Sequence, residues 1–170
     1  FQVAGRYINV GVPLLSTTNA MQPYTIAAWV NTTTGGAFLT QYDSGTNRFG
    51  VENRSSAGGK PQWWTNCSTL AIANSPTMDG EWYHVAFVKD ASQAVTIYVN
   101  GVNDTAVGSQ SHAKVFANAS TRIGTYNGSI LNYVGKMDEV QVFDQALSAA
   151  QIKGLVWNNS AASQHPALRL

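Results

Sequence analysis

Two carboxylic acids held about 5–5.5 Å or about 6.5–9.5 Å apart can hydrolyse a glycosidic bond, one as acid and the other as nucleophile or base. Glu52, Glu81 and Glu139 are the chain's glutamates, and they lie far apart in sequence. Asp138 and Glu139 are neighbours, so on a strand they point to opposite faces. His84 sits inside a strongly β-like stretch with no Ser or Cys placed to use it as a base. It reads as a half-buried histidine whose nitrogens are satisfied. His112 and His165 fall in polar segments without a motif. Catalysis is not expected.

Residues suited to binding stand out more clearly. Trp63 and Trp64 are consecutive, so on a strand one faces the core and the other faces away. The outward ring is a candidate platform for the apolar face of a sugar; the alternative is a pair packed on both sides. Tyr126 with Asn127 is a second candidate, pairing an aromatic face with an amide. Asp138 alternates with Val140 and Val142, which puts its carboxylate on an apolar face. A buried carboxylate must be paired, hydrogen-bonded or bound to a cation. Asp138 therefore either accepts backbone N–H groups that pin the N-terminal strand or holds a metal.

Asn-x-Ser/Thr triplets occur at Asn31, Asn53, Asn66, Asn103, Asn118, Asn127 and Asn158. They read as glycosylation acceptors or as a polar Asn/Thr-rich exterior, and either reading places the protein outside a cell. Cys67 is alone, so it forms no internal disulfide and leaves the compartment open.

Charge narrows the partners. Only 11% of residues are charged and the net charge is +1, whereas a nucleic-acid face needs clustered Lys and Arg. Lys60, Lys89, Lys114, Arg122 and Lys136 are scattered singly. No apolar run is long enough to cross a membrane as a helix. The first residue is Phe1 rather than Met, which reads as a mature or excised piece of something longer.

The elements that must position these residues are strands. β-branched and aromatic stretches recur over 7–10, 24–30, 37–41, 48–52, 62–65, 70–73, 82–89, 94–100, 122–126 and 136–143. Asp90-Ala91-Ser92-Gln93 reads as a hairpin connection, and Asn100-Gly101 supplies the pair of positive φ angles that a two-residue turn requires. One helix is expected over 148–157, opened by the capping box Ser148-Ala149-Ala150-Gln151. Residues 1–157 form one domain and 158–170 a tail or linker. The class is all-β, an antiparallel two-sheet sandwich or barrel with one short C-terminal helix.

Several stretches resemble a known family. Gly80-Glu81-Trp82-Tyr83-His84-Val85-Ala86, then Ile97-Tyr98-Val99-Asn100-Gly101, is similar to the centre of laminin-G-like domains in the concanavalin A-like lectin/glucanase superfamily, which includes pentraxins. Tyr24-Thr25-Ile26-Ala27-Ala28-Trp29-Val30, Arg122-Ile123-Gly124 and Gly135-Lys136-Met137-Asp138-Glu139-Val140 follow in the family's order. The resemblance implies a jelly-roll sandwich with one concave sheet, and places Trp29 and Trp82 in the core. It implies a structural Ca²⁺ at Asp138, as in glucanases of similar fold. It also points to Asp43 and Asn47 as calcium ligands near the pentraxin Asp-Asn position, with an Asx turn as the alternative. The acidic cluster of the pentraxin site is missing around Asn127, and the alternating acids of the family's glucanases are absent.

The expected function is a non-catalytic extracellular binding domain that recognises carbohydrate. The alternative is a structural or adhesion domain of a larger extracellular or virion assembly, acting through protein contacts and able to self-assemble. Neither nucleic acid nor membrane insertion is expected.

Overall fold

The computed structural model describes residues 6–14, 22–42, 48–65, 68–107 and 119–163. Asp43, Asn47, Asn66, Cys67, His112, Asn118 and His165 lie outside them.

Alternation along the chain builds two sheets. In Tyr83–Lys89, Val85 and Phe87 face one apolar cluster while Ala86 and Val88 face another. A strand apolar on both faces must be covered on both. Numbered in chain order, the described strands form a seven-stranded and a five-stranded antiparallel sheet. The first runs β1 (Ile8–Asn9), β11 (Ser120–Ile123), β3 (Gly36–Tyr42), β4 (Arg48–Arg54), β5 (Lys60–Thr65), β6 (Ser68–Ala73), β10 (Thr105–Val107). The second runs β12 (Gly135–Phe143), β2 (Tyr24–Thr32), β7 (Tyr83–Lys89), β8 (Val95–Val99), β9 (Val102–Asn103). The expected sandwich is the one observed.

Between the sheets lies an aromatic core. Trp63 is wholly buried, with its ring 5.4 Å from Tyr24, 6.1 Å from Phe49 and 6.2 Å from Phe87. Removing such a ring typically costs about 3–5 kcal/mol. The outer face of the five-stranded sheet carries the second cluster, Ala27, Ala86 and Val88 packed with Leu147 and Ile152. Ile152 belongs to helix α1 (Ala149–Ser163), which covers that face. Its start has the expected cap: Gln151 Oε1 accepts the Ser148 N–H at 2.9 Å, and Ser148 Oγ accepts the Gln151 N–H at 3.3 Å. Thr25 fastens the approach, its hydroxyl donating to Gln145 O and accepting from the Leu147 N–H. The helix continues six residues past the expected end at Trp157, through Asn158-Asn159-Ser160, whose low helix propensity gave no sign of it.

Two turns match expectation. Asn100 and Gly101 both have positive φ, 49° and 80°, joining β8 to β9. Asp90 Oδ1 accepts from Ser92 Oγ and the Ala94 N–H, closing the β7–β8 hairpin. β12 departs from it. The register slips between Asp138 and Gln141, and Glu139 has φ 50°. This bulge inserts a residue, so Met137, Val140 and Val142 pack on the core while Asp138 is exposed. The carboxylate is not on the apolar face; its Oδ1 accepts the Glu139 N–H at 2.9 Å and shapes the bulge.

Candidate functional site

With one outer face under a helix, the outer face of the seven-stranded sheet carries the cleft. Register sets its members. Gly50 lies opposite Trp64 and Glu52 opposite Gln62, while Phe49, Val51 and Trp63 point into the core. Of the tryptophan pair, Trp64 is therefore the outward one. Trp63 has no face toward solvent, and burial removes it from the ligand-binding set.

Trp64 is not the open platform expected of it. Only 6% of it is exposed, because Tyr126 stacks edge-on against it at 5.3 Å. Tyr126 arrives on the connection after β11, whose backbone is tied down over the sheet: the Thr40 hydroxyl meets Thr125 O at 2.9 Å and Tyr126 O at 3.0 Å. Arg48 Nη1 donates to the Tyr126 hydroxyl, and Tyr42 stacks on the ring at 5.1 Å. Asn127 does not reach the cleft as a free amide; its Oδ1 accepts the Ser129 and Ile130 N–H groups and forms the turn that carries Tyr126.

Beside Trp64 the sheet holds a cleft of about 250 Å³, lined by Arg48, Glu52, Arg54, Trp64, Thr69, Tyr126, Ile130 and Leu131. Glu52 lies at its base, wholly buried. Its Oε1 accepts from Gln62 Nε2 at 2.6 Å and lies 3.4 Å from Arg54 Nε. Burial raises the Glu52 pKa above the usual carboxylate value, and Gln62 and Arg54 draw it partly back. The Trp64 indole N–H lies near enough to lower it further, though short of hydrogen-bond geometry. Oε2 of Glu52 has no hydrogen-bond partner among the described residues.

Arg48, Glu52, Arg54 and Thr69 carry no motif that marks them for binding. The signal available is alternation: in Arg48-Phe49-Gly50-Val51-Glu52-Asn53-Arg54, every second residue is polar or glycine around an apolar pair. That pattern marks an outward face; the cleft itself depends on the distant Tyr126.

Other expected residues fall elsewhere. His84 is 1% exposed rather than half-buried, packs edge-on against Trp29 at 5.5 Å, and its Nδ1 has no partner among the described residues. Trp29 is half-buried on the outer face of its sheet, and Trp82 stands 42% exposed just before β7, outside the core. Asn53 is 2% exposed with its amide on Thr77, so no glycan fits there in the folded chain. Asn31 donates its amide to Gly80 O and is similarly occupied. Asn103 is exposed, Asn127 half-buried, and Asn158 lies on α1. Among the described residues, no group of three or more His, Cys, Asp or Glu is placed to hold a metal. Asp138 is exposed rather than on the apolar face, and its Oδ1 accepts the N–H of its own bulge.

Comparison with known proteins places the fold. No curated protein matches the chain closely enough to count as a relative. Among solved structures, domain 4 of AbnA, a GH43 extracellular arabinanase from Geobacillus stearothermophilus in complex with arabinotriose, is 22% identical, with a TM-score of 0.63 over 91% of this chain and 75% of that one. A heptameric SAP-like pentraxin from Limulus polyphemus is 17% identical, with a TM-score of 0.61 over 88% of this chain and 80% of that one. The receptor binding domain of botulinum neurotoxin D is 12% identical, with a TM-score of 0.67 over 93% of this chain and 43% of that one. At these identities the likeness is one of fold. The family model of the concanavalin A-like lectin/glucanases superfamily matches residues 4–153, most of the chain, and this protein belongs to that superfamily.

Proposed function

We propose that the chain is a non-catalytic extracellular module that binds carbohydrate in the cleft beside Trp64. The observation that carries this reading is the asymmetry of the sandwich. Helix α1 packs over one outer face, while the other presents a cleft with aromatic, guanidinium and hydroxyl groups together. Such a mixture suits a sugar, whose C–H faces pack on rings and whose hydroxyls need fixed polar partners. Among the described residues the cleft is lined by one carboxylate, Glu52, and that carboxylate is buried. Glycoside hydrolysis asks for two that can reach the substrate. The arabinanase domain bound to arabinotriose lends support by fold.

Thr69 lines the cleft from an exposed position, which allows a test that spares the core. Thr69→Trp should fill the cleft and abolish oligosaccharide binding, measured by calorimetry, while the melting temperature stays put. Undiminished binding by that variant would move the site elsewhere; no binding of any glycan by the unaltered protein would end the reading.

A structural or adhesion role is the second reading. Val102 and Trp157, 67% and 65% exposed, give it an apolar surface around β9 and α1. A strictly monomeric state at high concentration by light scattering would count against it.

A further inference from the structure

We infer that the sugar held in this cleft carries a carboxylate, an assignment that rests on reading the cleft as a glycan site. In sequence the basic residues are scattered; the register gathers four of them. Arg122 lies opposite Thr40, Thr40 opposite Gly50 and Gly50 opposite Trp64, so Arg122 shares the face of Trp64. Arg54 lies opposite Lys60, and Arg48 faces the same way four residues before Glu52. Arg48, Arg54, Lys60 and Arg122 thus occupy one face in a chain with only ten Lys and Arg in all. Among the described residues Glu52 is the acid on this face; the others lie in loops or in the five-stranded sheet.

Glu52 offsets at most one of those four charges. Its side chain is fully buried, its Oε1 accepts from Gln62 Nε2 at 2.6 Å and it forms an ion pair with Arg54. Arg54 Nε lies 3.4 Å from Glu52 Oε1 in that pair, and the Arg54 side chain is 43% exposed. A partly exposed guanidinium steadied by an ion pair at Nε can grip an incoming carboxylate through two parallel N–H bonds. Four cationic side chains against one buried acid give this face a positive field toward an anion.

The test uses pairs of probes that differ by one carboxylate: trigalacturonate against its methyl ester, and sialyllactose against lactose, titrated calorimetrically. The acid of at least one pair should bind roughly tenfold or more tightly than its neutral partner, the scale of a charged hydrogen bond. Arg54→Gln should erase that preference and Arg54→Lys restore it in part, because the charge returns without the fork. Lys60→Gln, away from the Glu52 contact, should weaken the acid alone and guards against a folding defect in the Arg54 variants. Equal binding of acid and neutral partner would overturn the carboxylate assignment and leave the glycan reading standing. Binding of dextran sulfate with neither carboxylated sugar bound would also overturn it, as generic attraction of anions. No binding of any saccharide, arabinotriose included, would overturn both readings.

Discussion

Burial holds the His84 imidazole at a pKa of about 4, well below its ordinary 6.5. The folded protein therefore keeps the ring neutral at a pH where the unfolded chain would protonate it. Stability from this source is present in full above pH 6.5 and is lost as pH falls through the window toward 4. The size is about 3 kcal/mol across that window. Glu52 works the other way, since its raised pKa means that its cost at neutral pH is relieved as the pH drops. A direct measurement on the unaltered protein mixes the two. Urea unfolding between pH 7 and pH 4 should therefore compare it with His84→Gln, and the unaltered protein should lose about 3 kcal/mol more than the variant. Parallel curves would show that the ring is reached by water in the folded state.

Individual elements explain which features sequence could reveal. Strands such as Tyr24–Thr32 and Tyr83–Lys89 are readable because they are continuous runs of β-branched, aromatic and small apolar residues bounded by turn residues, as strands buried on both faces are. β9 and β10 were not, being two and three residues long and held by pairing rather than by a pattern of their own. The bulge in β12 left a trace, the three-residue step from Met137 to Val140, but a step of three is ambiguous until the partner strand is known. The same holds for Trp63 and Trp64: alternation separates them, and only the register against Val51 and Gly50 says which turns inward. Gly50 deserves its place for that reason. A methyl there would stand 2.7 Å from Trp64 Cε2 and 3.0 Å from Thr40 Cγ2, so the indole lies flat only over a bare backbone. Gly50→Val should displace the Trp64 ring and destabilise the fold by about 1–3 kcal/mol in denaturant unfolding, as overpacking does. An unchanged midpoint would mean that the indole has room to swing aside.

At the scale of the molecule, the two outer faces divide the work. α1 seals the five-stranded sheet through Ile152, which is fully buried, and Leu147 just before it. A chain ending at Ser148 would bare Ala27, Ala86 and Val88. It should bind the dye ANS strongly and melt several degrees lower, and an unaltered melt without dye binding would show that the helix is ornamental. The cleft face could not be read from sequence because it is assembled from β4, β5 and β6 and from the connection that bears Tyr126, separated by about half the chain. The gathering of Arg48, Arg54, Lys60 and Arg122 was hidden in the same way, since no two are adjacent.

The sealed back has a bearing on how such a module is used. On the proposed glycan reading, recognition lies on one side alone, so one copy engages one segment of glycan at a time and cannot by itself cross-link a polysaccharide. Firm attachment to a polymer surface must come from repetition: two copies joined by a linker matched to the spacing of their targets can hold 10²- to 10⁴-fold more tightly than one, roughly, without any new contact.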